Sequence, residues 1–219
     1  IDLIQFHWWD YNDASYIDAL HQLTKLHDDG KIGHISLTNF DTERMQIMTD
    51  NGIDLVSNQV QYSIIDQRPN VKMASFCKNH NMNLLTYGTI LGGLMSEKYL
   101  GADEPMDSSL NTFSLQKYKN MIDAWGGWQL FQELLEILGS IAKKHNVQIA
   151  NIATRFVLDK PQVAGVIIGA RLGLSDHISQ NLKTFELKLD ADDYDKIRSV
   201  TDKSNDLYST IGDCGGEYR

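Results

Sequence analysis

Short apolar runs alternate with helical stretches along this chain, and that alternation leaves few folds open. Residues 1–9, 32–40, 55–62, 83–86 and 163–168 each read as a strand. In the first interval, residues 13–29, Ile17, Leu20, Leu23 and Leu26 recur every three residues before Gly30 stops the helix. In the second, Asp41-Thr42-Glu43 starts a helix carrying Met45 and Met48 that ends near Asn51-Gly52. Residues 71–79 give a third helix. After the fifth strand, Ser175-Asp176 can cap a helix to about residue 185, and residues 190–200 open acidic and continue with apolar helical spacing. The interval between the fourth and fifth strands is longer. Residues 91–126 hold Gly, Ser, Asn and Met without a sustained period and read as a loop, while 128–145 and 148–158 read as two helices.

Strands separated by helices imply parallel βαβ units, either in an open doubly wound sheet or in a closed barrel. The open sheet calls for a glycine-rich phosphate turn after an early strand, and G-x-G-x-x-G is absent from the sequence. The barrel is favoured. A complete one typically takes about 250 residues and eight strands. Five strands in 219 residues, with Ile1 to Phe6 already reading as the interior of a buried strand, predict that early units are missing and that the N-terminus is a break. One domain over residues 1–219 is expected.

Charge narrows the partners. A formal net charge of −9 repels phosphates at long range, which argues against a nucleic-acid or anionic-membrane surface and for a small-molecule partner. No run approaches the roughly 18 to 20 apolar residues that span a bilayer, so a cytoplasmic protein is expected. Two cysteines, Cys77 and Cys214, supply neither a disulfide framework nor zinc-ligand spacing. Cys77 reads as inert core and Cys214, in a glycine-rich tail, as an exposed thiol.

In such barrels the chemistry lies where each strand expires. Here those places hold His7, Thr38-Asn39, Asn58-Gln59 with Tyr62, Tyr87, and Gly169-Ala170-Arg171. Glycosidases need two facing carboxylates, yet only Asp10 and Asp66 lie near a strand end. Other histidines fall on helices or loops, so no metal site is indicated. The amides of Asn39 and Gln59 suit a primary carboxamide such as that of nicotinamide, or else they tie down loops. Tyr87 can stack on a flat ring or fill core. Gly169-Ala170-Arg171 before a helix start offers N–H groups and a guanidinium to a phosphate, or Arg171 is a solvated charge. His7 taken alone is more often a satisfied core histidine than a catalyst.

At these residues the chain resembles the aldo-keto reductase family. Ile1 to Trp8 is similar to that family's strand ending in a catalytic histidine, and Gly30-Lys31-Ile32-Gly33 through Thr38-Asn39-Phe40 to its GKIR-x-IGVSNF segment. Asn58-Gln59-Val60-Gln61-Tyr62-Ser63 resembles NQVxYS. Leu85 to Gly88 with Leu91-Gly92-Gly93 and Lys98-Tyr99 resembles YSPLxxGxLxGKY, and Val166 to Arg171 with Gln180-Asn181 resembles IPGAR...EN.

The resemblance implies an α/β fold, a (β/α)8 TIM barrel of aldo-keto reductase type lacking here its first three βα units. It implies NADP(H), or NAD(H), as cofactor and an aldehyde or ketone as substrate. His7 would polarise the carbonyl oxygen; Thr38, Asn39 and Gln59 would hold the carboxamide; Tyr87, followed by Gly88 and Ile90, would stack on the ring. Gly169, Ala170, Arg171, His177, Gln180 and Asn181 would grip the phosphate end. Two positions depart from the pattern. His177 stands where many NADPH-preferring members carry an arginine, and Gly88 where a serine is often seen. The family's proton-donating tyrosine, with its lysine and aspartate, comes from units that would precede Ile1. The expectation is therefore a chain inactive by itself, its open barrel edge covered by another segment or chain. A second reading is a catalytically silent subunit or scaffold in a larger assembly.

Overall fold

The structure, a computed structural model, describes residues 1–170, 173 and 176–215. One parallel sheet runs in the order β1 (Leu3–His7), β2 (His34–Thr38), β3 (Ser57–Gln61), β4 (Asn83–Tyr87) and β5 (Val163–Val166). Parallel neighbours in sequence need a crossover. α1 (Tyr16–Asp28), α2 (Thr42–Asp50) and α3 (Met73–Asn79) supply the first three. Leu20, Met45, Met48, Phe76 and Cys77 from these helices share a buried cluster with Ile35, Leu37, Val60 and Leu84 of the strands.

Register then decides what lies on the other face. His7 pairs with Thr38, Thr38 with Gln59 and Gln59 with Leu85, so these four form one row. Gln61 pairs with Tyr87 one layer nearer the C-terminal ends. Toward the N-terminal ends the hydroxyls of Ser36 and Ser57 meet at 2.6 Å.

β1 and β5 end the sheet. Beside them the surface is apolar: Ile1 and Leu3 at one end, and Ile167, Ile178, Leu182 and Phe185 beyond the other, are exposed, Phe185 by 72%. A second and larger core joins the loops after β3 and β4 to the remaining helices, through Ile64, Leu91, Trp125, Trp128, Phe131, Ile152 and Ile197. Those helices are α4 (Phe113–Trp125), α5 (Gly127–His145), α6 (Ile149–Leu158), α7 (Ile178–Glu186), α8 (Ala191–Thr201) and α9 (Leu207–Ile211). Among the described residues no helix is long and apolar enough to cross a membrane.

The structure corrects the sequence reading in four places. Residues 91–126 are not all loop, because α4 occupies their last third. Thr112 caps it by accepting from the Leu115 N–H at 3.2 Å, and its face of Tyr118, Met121, Ile122 and Trp125 is buried. The fifth strand ends at Val166, although the Ile167 N–H still donates to Thr86 at 2.7 Å. The short helix α9 was not anticipated. Cys214 is buried, not exposed. Cys77 is core as expected, and burial pushes its thiol up to about 12, so it holds no thiolate at neutral pH. At α7, Asp176 accepts from the Ile178 N–H at 2.9 Å; Ser175 lies outside the described residues.

The end of α5 is clamped to the start of α8. Asp190 and Asp193 form a capping box, each carboxylate accepting from the other's N–H at 3.0 Å. Lys144 donates to Asp190 at 2.7 Å and to Asp193 at 2.8 Å, and His145 Nε2 lies 2.7 Å from Asp193. Ligand atoms of His145, Asp190 and Asp193 lie within 4.8 Å of one another, a spacing a metal ion could use; here the Lys144 ammonium is the cation. Burial raises the Asp193 carboxyl, yet the hydrogen bonds from Lys144, the Asp190–Asp193 backbone turn and His145 outweigh it and hold the group at about 2. A carboxylate whose pKa is depressed by folding stabilises the native state fully above its unfolded value near 3.9, and this is lost as pH falls toward 2. The shift corresponds to roughly 2.5 kcal/mol. Urea unfolding should therefore show the wild type losing about 2 kcal/mol more than Asp193→Asn between pH 5 and pH 2.5.

Candidate active site

The C-terminal ends of β1 to β4 meet around Asn39. This residue follows β2 with φ 61°, a left-handed conformation that asparagine tolerates better than most residues but that needs outside support. Three elements provide it. The Asn39 N–H donates to the Gln59 carbonyl at 2.9 Å, tying it to β3. Its own carbonyl accepts from the Tyr11 hydroxyl in the loop after β1. Its side-chain Oδ1 accepts from the Tyr87 hydroxyl at 2.7 Å, tying it to the end of β4. Asn58, which points to the helix side of β3, holds the next residue by donating Nδ2 to the Phe40 carbonyl at 2.8 Å.

The C-terminal tail closes on the same point. A Cβ on Gly215, at φ 99°, would lie 2.0 Å from the Asn39 carbonyl oxygen and 3.2 Å from the Tyr11 hydroxyl, so no side chain fits there. Asp213 fastens this tail to α2 by accepting from the Thr42 N–H at 2.8 Å, and Arg68 donates to the Asp213 carbonyl at 3.3 Å. Arg68 is itself in a buried pair with Asp66, at 2.7 and 2.8 Å, and Gln61 Nε2 donates to Asp66 at 2.7 Å. One of the two carboxylates near the strand ends is thus committed to structure, which removes it as a glycosidase acid or base. Beside the tail, a cleft of about 510 Å³ lies between Trp9, Tyr11, Arg44 and Ile211.

Of the residues singled out from sequence, Thr38, Asn39, Gln59 and Tyr87 are brought together, with His7 in the same row of the sheet. His7 is exposed and stacks on Trp9, ring centroids 5.1 Å apart. Gly88, at φ 72°, lies under Tyr118 of α4, whose hydroxyl would be 2.5 Å from a Cβ there. Ile90 leans on the larger core. Tyr62 belongs to that core and donates to Asn70 at 2.5 Å; burial pushes its phenol up. Gly169 and Ala170 are exposed past β5, one strand over from Tyr87, and Arg171 lies outside the described residues. His177 is the cap residue of α7, with half-buried Gln180 and Asn181 in its first turn. Asn151 of α6 holds that turn by donating to the Gln180 carbonyl at 2.8 Å. Tyr11, Gly215 and Arg68 escaped the sequence reading. Of these, Gly215 alone left a local signal, in the run of glycines before the C-terminus.

The donor set suits a nicotinamide. Among the described residues, the Asn39 NH2 group and the Gln59 side-chain amide have no hydrogen-bond partner. Together they offer the donor and acceptor that a carboxamide requires. A model of the aldo/keto reductase family matches residues 1–202. The chain belongs to that family. It is 30% identical over 178 residues to flagellar radial spoke protein 5 of Chlamydomonas reinhardtii, covering 73% of this chain and 33% of that protein. It is 26% identical over 222 residues to Protein tas of Escherichia coli, covering 91% and 61%. Among solved structures it aligns with a glycerol dehydrogenase from Gluconobacter oxydans at TM-score 0.72 and 21% identity, over 97% of this chain and 60% of that one. An aldo/keto reductase from Klebsiella pneumoniae in complex with NADP and acetate aligns at TM-score 0.65 and 17% identity, over 92% and 59%. The chain thus has the fold of part of an aldo-keto reductase barrel, and it spans less than two thirds of these proteins.

The close approach of the tail gives a direct expectation. Gly215→Ala must push either the tail or the Asn39 carbonyl aside at a left-handed backbone position, and denaturant unfolding should show a loss of about 1–3 kcal/mol.

Proposed function

We propose that this chain is the cofactor-side part of an NAD(P)H-dependent oxidoreductase that reduces aldehydes or ketones to alcohols. The observation that carries the reading is the hydrogen bond from Tyr87 to Asn39 beside Gln59. It sets one aromatic ring and one amide at the ends of β4 and β2, with the Gln59 amide in the middle of β3 one row deeper, the groups needed to hold a nicotinamide by its carboxamide and its face. The cofactor would supply the hydride. The chain's own residues would orient it: Asn39 and Gln59 by hydrogen bonds, Thr38 beside them, Tyr87 by stacking, and the phosphate end at Gly169, Ala170 and the first turn of α7. NADP among the ligands of the Klebsiella pneumoniae structure supports this assignment by kinship.

His7, exposed at the end of β1, would face the carbonyl oxygen and polarise it. Reduction leaves an alkoxide, and general acid catalysis is worth typically 10²- to 10⁴-fold in rate. By the family resemblance the acid is a tyrosine from βα units preceding Ile1. We place those units, or another chain, across the two ends of the sheet, where they would cover Ile1, Leu3, Ile167 and the exposed face of α7 at Ile178, Leu182 and Phe185. A second reading, a catalytically silent member of an assembly, draws on the name of the Chlamydomonas relative, a radial spoke protein.

Titrating the complete polypeptide with NADPH while following tryptophan emission separates the two. The enzyme reading expects saturable quenching, with affinity falling about tenfold in Tyr87→Ala and in Asn39→Ala, and turnover of an aldehyde. No response to NADPH or NADH favours the scaffold. Reductase activity in residues 1–219 alone would contradict the assignment of the proton donor to a preceding segment.

A further inference from the structure

Asn58 puts an amide where the sheet is otherwise apolar. In register it stands between Leu37 of β2 and Leu84 of β4, on the helix side of β3, and all three are fully buried. Its Nδ2 donates to the Phe40 carbonyl at 2.8 Å, and the sulfurs of Met45 and Met73 lie 3.4 and 3.7 Å away. Its Oδ1 is buried and, among the described residues, has no hydrogen-bond partner. An acceptor buried in that state costs stability, and a thioether is a weak acceptor, so packing alone does not account for an amide at this place.

The bond to Phe40 has a second effect. Asn39 and Phe40 form the turn out of β2, and consecutive residues of β3 hold that turn at two points. The Gln59 carbonyl accepts from the Asn39 N–H at 2.9 Å, which fixes the entry to the left-handed residue. The Asn58 side chain fixes the exit at the Phe40 carbonyl. The Phe40 ring is packed as well, against Phe6, Tyr11 and Tyr16, but a ring does not set the rotation of its own carbonyl. Gln59 follows Asn58 and points to the opposite face of the sheet. One strand therefore sets the Gln59 amide directly and the Asn39 amide through the turn.

We propose that Asn58 is a positioning residue for the nicotinamide carboxamide, fixing the Asn39 amide relative to that of Gln59 without touching the cofactor. This rests on the reading of Asn39 and Gln59 as the groups that hold the carboxamide. Without the Asn58 amide the Phe40 carbonyl is released, and the turn carrying Asn39 must be ordered when the cofactor binds. The effect belongs to the nicotinamide end alone. The phosphate end, at Gly169, Ala170 and the first turn of α7, lies past β5 and is not built on this turn.

The test uses the complete polypeptide and two ligands: the preferred cofactor, NADPH or NADH, and the matching fragment without nicotinamide, 2′-phospho-ADP-ribose or ADP-ribose. Asn58→Leu keeps the branched outline and removes both the donor and the orphan acceptor. Its cofactor dissociation constant should rise roughly 3- to 10-fold, the worth of one hydrogen bond, while that of the fragment stays as in the wild type. Combined with Asn39→Ala, it should lose no more than Asn39→Ala alone, because Asn58 acts through Asn39. An unchanged cofactor constant in Asn58→Leu, with Asn39→Ala weakened, overturns the proposal and leaves the carboxamide reading intact. Equal weakening of both ligands, or losses that add in the double variant, also overturns it and makes Asn58 a general support of the fold. Wild-type affinity in Asn39→Ala, or no cofactor binding by the wild type, removes the carboxamide reading and this inference with it. Should Asn58→Leu lose its native thermal transition, Asn58→Asp carries the same comparison across pH. As a neutral acid, favoured by burial, the new side chain can donate to the Phe40 carbonyl, and as a carboxylate it cannot. Its preference for the cofactor over the fragment should then fall as pH rises, and a preference that does not move with pH overturns the proposal.

Discussion

A single strained residue gathers the working end of this sheet. Asn39 sits in a left-handed conformation that neither β2 nor α2 would impose, and it keeps that conformation because β3, the loop after β1 and the end of β4 each hold a different atom of it. The tail presses on the same carbonyl at Gly215, and Asn58 fixes the following residue from beneath. Such convergence is what lets a short polar side chain serve as a rigid reference point. The Asp66–Arg68 pair extends the network outward to the tail and takes no part in acid–base chemistry, since both of its members are buried and paired.

Much of this was legible from local signals. The Asp41 cap of α2, the acidic start of α8 and the strand-end residues His7, Thr38, Asn39 and Tyr87 are written in short windows, where periodicity and capping chemistry act, whereas Gln59, read as a strand end, lies in the middle of β3 because the strand continues through Val60 and Gln61. What escaped depends on partners far away in sequence. α4 hid because Lys119 interrupts its apolar face. Lys119 is buried there only because Glu104, from the preceding turn, and Asp123 neutralise it. Cys214 read as exposed because its burial depends on a tail held by Arg68, 145 residues before the Asp213 it contacts. The β4–β5 pairing shifts register between Leu84 and Leu85, and the last strand is correspondingly short.

The two faces of the sheet follow different rules. The face against α1 to α3 is apolar apart from such residues as Asn58, and makes a parallel-sheet core. The opposite face carries serines, amides and a histidine in successive rows. A polar layer of that kind is stable when its members bond one another, as Ser36 and Ser57 do, or when something else meets them. The apolar surface beside β1 and β5 has the reverse character, and α7 presents there three large side chains on one side of a single helix.

Gly88 carries a consequence for how the chain tolerates change. The backbone at this position is left-handed, and the Tyr118 hydroxyl occupies the volume of the missing methyl. A side chain at position 88 would have to adopt a left-handed backbone and displace the Tyr118 hydroxyl, so the placement of the α4 tyrosine and the absence of a side chain at the end of β4 depend on each other.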